Sequence, residues 1–143
     1  MNKNTKNTNT IAIVTSEYHS EITSAMEEAA LEKARKLKLH IIKKLRVPGV
    51  FEIPFAVDQL LQREDIQAVV TIGAVIQGET DHDKIIAHST ARKLHDISLH
   101  YGKPVSLGIS GPRISKNQAK ERASDYGQRA VHAIFKLLQL KIK

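Results

Sequence analysis

The chain has 143 residues, with 22 basic and 15 acidic side chains and a net charge of +7. That length suits one domain around one core, and its ordinary apolar and charged fractions argue against disorder over most of it. There is no cysteine, which excludes disulfides, thiolate zinc sites and thiol nucleophiles together; the composition fits a reducing interior, and a cytoplasmic location is expected.

Residues 1–10, MNKNTKNTNT, lack the apolar centre of a secretion signal. They read as a polar arm that orders only against a neighbour. IAIVTS (11–16) is a short apolar run of strand type. Ser20 can cap the next segment, a helix with Ile22, Ala25, Met26, Ala29, Ala30, Ala34 and Leu37 on one face. LHIIKKLRV (39–47) reads as a second strand, followed by a VPG turn. Pro54 suits the first turn of a helix carrying Phe55, Ala56, Val57, Leu60 and Leu61. IQAVVTIGAVI (66–76) is the most apolar stretch and reads as a central buried strand. Residues 81–101 are helical by pattern, with Ile86, Thr90, Leu94, Ile97 and Tyr101 on one side, and KPVSLGIS (103–110) is a fourth strand. A long last helix starts near Ser115, with Gln118 placed for a capping box. Its buried stripe is Ala119, Ala123, Ala130, Ile134, Leu137 and Leu138.

Strand and helix alternate four times, which predicts a parallel sheet with helices on both faces and right-handed crossovers. In such sheets ligands bind beyond the carboxyl ends of the strands. Four segments are therefore candidates: 16–20, 47–54, 73–83 and 108–115. No apolar run approaches the ~20 residues of a membrane helix. The basic residues are scattered along helices and mixed with acids, and aromatics are few, so neither a membrane surface nor a nucleic-acid interface is expected.

GAVIQGETDHDK (73–84) raises the sharpest local question. It matches neither a GxxxxGK phosphate loop nor a GxGxxG dinucleotide turn. Gly78 still frees the backbone before a helix N-terminus, where an anion can sit. Thr80 and Asp83 have capping-box spacing. That places His82 in a first helical turn, where the positive helix end disfavours protonation while Asp81 and Asp83 oppose that effect. His82 thus reads as a neutral proton acceptor or as a surface histidine beside a cap, the latter being the plainer reading of the spacing. Glu79 and His82, or His88 and His95, do not gather the three or four ligands of a metal site, so none is expected. Arg122 and Arg129 share a helix face and could meet a phosphate or simply be solvated. Tyr18 and Phe51 could stack on a planar ligand, with core packing the plainer reading of Phe51.

VPGVFEIP (47–54), GAVIQGETDHD (73–83), GKPVSLGIS (102–110) and QAKERA (118–123), in that order, resemble the 6,7-dimethyl-8-ribityllumazine synthase family. The likeness covers residues 11–140, and GETDHD, SGP and ERASDYGQRA look like its archaeal branch. It implies a flavodoxin-like, three-layer α/β/α sandwich on a four-stranded parallel sheet, as one domain over 11–143. It implies condensation of 5-amino-6-(D-ribitylamino)uracil with 3,4-dihydroxy-2-butanone 4-phosphate, releasing phosphate and water, without a cofactor. Carried over by position, Tyr18 stacks on the pyrimidine, and Val50, Phe51 and Glu52 bind the uracil and ribityl chain. Ala74, Val75 and Ile76 line the uracil pocket, Glu79 and Thr80 belong to the phosphate loop, and His82 transfers protons. Leu107, Arg122 and Arg129 come from the neighbouring subunit of a homo-pentamer, with Arg122 on the phosphate; some members assemble twelve pentamers into an icosahedral shell. The chain departs from common members at Tyr18, His19, Gln77, Leu107 and Arg129. Two alternatives stand beside this reading: an archaeal-type riboflavin synthase, which releases no phosphate, and a basic noncatalytic nucleic-acid-binding module.

Overall fold

A computed structural model describes residues 9–140; most of the expected N-terminal arm therefore lies outside the described residues. Thr10, assigned to that arm, instead opens the first strand. The elements run β1 (Thr10–Ser16), α1 (Ser20–Lys36), β2 (His40–Val47), a single 3-10 turn (Val50–Glu52), α2 (Ile53–Leu61), β3 (Ala68–Gly73), α3 (His82–Tyr101), β4 (Val105–Ile109) and α4 (Lys116–Leu138). All pairings are parallel, in the order β2-β1-β3-β4. This is the expected flavodoxin-like α/β fold. The central strands β1 and β3 are buried on both faces, which explains their unbroken apolar runs. Edge strand β2 keeps Lys43, Lys44 and Arg46 exposed, and such charges blunt an open edge.

Alternation sends Ile11, Ile13, Val70 and Ile72 to the face covered by α1 and α4, and Ala12, Val14 and Val69 to the face covered by α2 and α3. On α1 the buried side is Ile22, Thr23, Met26, Glu27, Ala30 and Ala34, so Ala25 lies outside the expected stripe. Glu27 is tolerated there because its carboxylate accepts from Thr15 Oγ1 at 2.9 Å and pairs with Arg46. Gly127, inside α4, lets that helix close on α1: a Cβ there would stand 2.1 Å from the Met26 carbonyl oxygen.

The caps correct two expectations. Ser20 is the first helical residue, and His19 occupies the cap with φ 61° and no side-chain bond; its carbonyl accepts from Ile22 and Thr23. The Thr80–Asp83 capping box does not form. Asp81 caps α3, Thr80 Oγ1 accepts from the His82 N–H at 3.2 Å, and the Asp83 carboxylate is drawn to the Arg113 N–H at 3.0 Å. A buried tertiary partner outbids the local reach-back that the spacing allowed. The Ser115–Gln118 box does form, with bonds of 3.1 and 2.9 Å. Leu137, expected in the buried stripe of α4, is exposed like Ala25, and Phe55 points out beside Asp58, Lys93 and His100.

Candidate active site

The chain passes from β1 to β2 on one side of β1 and then crosses from β2 to β3 on its other side, so a crevice opens between the ends of β1 and β3. A pocket of about 700 Å³ lies there. Each flanking strand end supplies a wall for a local reason. Beyond β1, the Glu17 and Tyr18 N–H groups continue pairing onto the carbonyls of Val47 and Pro48, at 2.8 and 3.1 Å. This holds Tyr18 over the pocket, 70% exposed, its ring 4.4 Å from that of His19. After β2 the VPG turn runs into the 3-10 turn, which buries Val50 and leaves Phe51 64% exposed and Glu52 open beside it. Phe51 is therefore not a core residue. Val50 seats against the end of β3, where a Cβ on Gly73 would lie 2.7 Å from its Cγ2, so only glycine permits that approach.

From β3 the chain continues through Ala74, Val75 and Ile76, the first two buried, and then Gln77 and Gly78 to the start of α3. Thr80, His82 and Asp83 close the pocket with Ile86 one turn on. His82 is exposed, the first residue of α3, with its N–H held by Thr80. The pocket thus gathers Tyr18, Val50, Phe51, Glu52, Ala74, Val75, Ile76, Thr80 and His82. Glu79 is exposed between two lining residues without lining the pocket itself. Leu107, Arg122 and Arg129 do not reach it. Leu107 is on β4, one strand beyond β3, and the two arginines are on the exposed side of α4, where Arg129 pairs with Asp125 at 3.6 Å.

His19, Gln77, Gly78, Asp83 and Ile86 also line the pocket and were not singled out as site residues. The first four fall inside the candidate segments 16–20 and 73–83, and Ile86 lies one helical turn past His82, so position alone was the signal for them. His19 stands out electrostatically. Burial holds its imidazole below the usual value, Lys116 adds to that, and Glu21, itself 3.2 Å from Lys116, opposes it. Among the described residues no group of three or more histidine or acidic side chains could hold a metal ion, and no helix is long and apolar enough to cross a membrane.

Residues 8–141 match the family model for 6,7-dimethyl-8-ribityllumazine synthase. The chain belongs to that family. It is 50% identical over 129 residues to the 6,7-dimethyl-8-ribityllumazine synthase of Methanocaldococcus jannaschii, covering 90% of this chain and 91% of that one. The enzyme of the same name from Staphylothermus marinus is 51% identical over 128 residues, covering 90% and 85%. That of Methanopyrus kandleri is 48% identical over 129 residues, covering 90% and 91%. The lumazine synthase family serves riboflavin biosynthesis, and neither a riboflavin synthase nor a nucleic-acid-binding module is supported by these relatives.

Proposed function

We propose that the β1–β3 pocket, in one domain spanning 11–143, condenses 5-amino-6-(D-ribitylamino)uracil with 3,4-dihydroxy-2-butanone 4-phosphate in the cytoplasm. The products are 6,7-dimethyl-8-ribityllumazine, phosphate and water. One observation carries this assignment of residues: three strand-end segments distant in sequence put Tyr18, Phe51, Glu52, Val75 and His82 around a single opening. Tyr18 and Phe51 present exposed rings to a planar heterocycle. Glu52 accepts from ribityl hydroxyls, and the backbone from Ala74 to Ile76 meets the edge of the uracil. The Glu79–Thr80 backbone, at the N-terminal end of α3, receives the phosphate. His82 moves the proton. The bond-making groups, amine and carbonyl, belong to the substrates, so holding the two together supplies much of the rate.

Leu107, Arg122 and Arg129 complete the site from a second copy in a homo-pentamer, which itself can enter a larger shell. All three are exposed and none lines this chain's own pocket, which supports that placement. Mixing the protein with both substrates and following lumazine fluorescence with phosphate release tests the reaction: one phosphate should appear per lumazine, and none when either substrate is omitted. Light scattering should give at least five times the 15.9 kDa chain mass. A monomer would overturn the shared site.

A further inference from the structure

The segment SGPRI (110–114), between β4 and α4, lines no part of the pocket, yet it bonds to the pocket wall at three points. Val75 lies beyond Gly73, the last residue of β3 to pair with β4. The fully buried Ser110 hydroxyl serves its backbone instead, accepting from the Val75 N–H at 3.1 Å and donating to the Val75 carbonyl at 3.2 Å. Two residues on, the Gln77 N–H donates to the Ile114 carbonyl at 2.8 Å. The Asp83 carboxylate, 5% exposed, accepts from the Arg113 N–H at 3.0 Å. Gly111 makes the approach possible: it sits at φ 94°, and a Cβ there would lie 2.8 Å from the Val75 carbonyl oxygen.

We propose that this segment is a brace for the substrate pocket, and that Ser110 and Asp83 are positioning residues for the two halves of the reaction. Ser110 acts through the Val75 backbone on the pyrimidine side. Asp83 acts through the first turn of α3 on His82 and the phosphate loop. The inference rests on the reading of the pocket given above. Its physical basis is that a buried donor and acceptor cannot lose their partner without shifting to find another. A shift of an ångström in a wall that orients a reactant is enough to cost rate or affinity.

Steady-state kinetics on the assembled protein test it, with amide hydrogen exchange as a readout independent of activity. Ser110→Ala should raise KM for the pyrimidine about tenfold, leaving kcat and the KM of the phosphorylated ketone nearly unchanged. Exchange should quicken at Val75 and not in the middle of β3. Asp83→Ala should lower kcat about tenfold, and Asp83→Asn, whose amide oxygen can still accept from Arg113, should recover most of it. Ser110→Cys keeps the shape in a slightly larger, more weakly hydrogen-bonding group, and it carries the test where Ser110→Ala does not fold. A fall in Tm with both KM values and kcat unaltered would reduce the brace to scaffolding and overturn the proposal. Phe51→Ala and His82→Ala serve as controls: if these leave turnover intact, the pocket assignment fails, whereas if they impair it while the Ser110 and Asp83 variants do not, the brace alone fails.

Discussion

The ends of β1 and β3 and the exposed positions of β4 and α4 both carry residues that the family resemblance places at the substrate, but they are built differently. The first region is bonded together from several directions. Tyr18 is held through Pro48, Val75 through Ser110, and His82 through Thr80. The second presents groups to solvent: Leu107 is 53% exposed on an edge strand, and Arg129 pairs with Asp125 one turn away on its own helix. Exposed ion pairs of that kind add little to stability. The contrast teaches that one chain by itself shapes the pocket, while Leu107, Arg122 and Arg129 stand outside it; under the pentamer proposed above they serve a pocket on another copy.

The largest effect should come from Arg122→Ala. Losing a bidentate phosphate contact should cut kcat/KM for the phosphorylated substrate about 100-fold, with the Tm of the chain unmoved. An unchanged kcat/KM would remove α4 from the site. His82→Ala should slow turnover roughly tenfold to 100-fold without unfolding the protein; the loss stays moderate because orientation carries much of the rate. Wild-type turnover would leave the histidine as a surface residue beside a cap. Co-refolding these two impaired variants in equal amounts sharpens the comparison most directly. If each site takes His82 from one copy and Arg122 from another, roughly a quarter of the sites in a random mixture regain both. A site contained within one chain would regain nothing.

The smallest effect concerns His19. Its folded-state pKa lies below the ordinary 6.5 because burial, helped by Lys116, disfavours the imidazolium. The unfolded chain therefore binds more protons, and stability falls as pH drops. This contribution is fully present above about 6.5 and is lost as pH falls through the folded-state value. A His19→Asn variant, whose asparagine tolerates the left-handed cap, should show a shallower loss of Tm between about pH 7 and 5. Parallel Tm profiles would show that His19 does not couple protonation to folding.

Much of this was legible in the chain. The four strands could be found because buried parallel strands are unbroken apolar runs, and the α4 cap because Ser115 and Gln118 interact over three residues of sequence. The Thr80–Asp83 reading failed for the opposite reason: Arg113, thirty residues away, competes for the same carboxylate. Phe51 was ambiguous because an aromatic between Val50 and Ile53 looks apolar in sequence wherever its ring points. Glu27 gave no signal at all, since its partners Thr15 and Arg46 lie on two different strands.

The sequence by itself determined the order of the elements, the parallel sheet and the family, because periodicity and long motifs are local properties. Only the tertiary structure decided which strand ends meet. It brought Tyr18, Phe51, Val75, His82 and Asp83 to one opening, left Leu107, Arg122 and Arg129 outside it, and set Ser110 behind its wall. Those outcomes depend on strand order and on hydrogen bonds between segments far apart in the chain, and nothing in the spacing of residues along one segment encodes them.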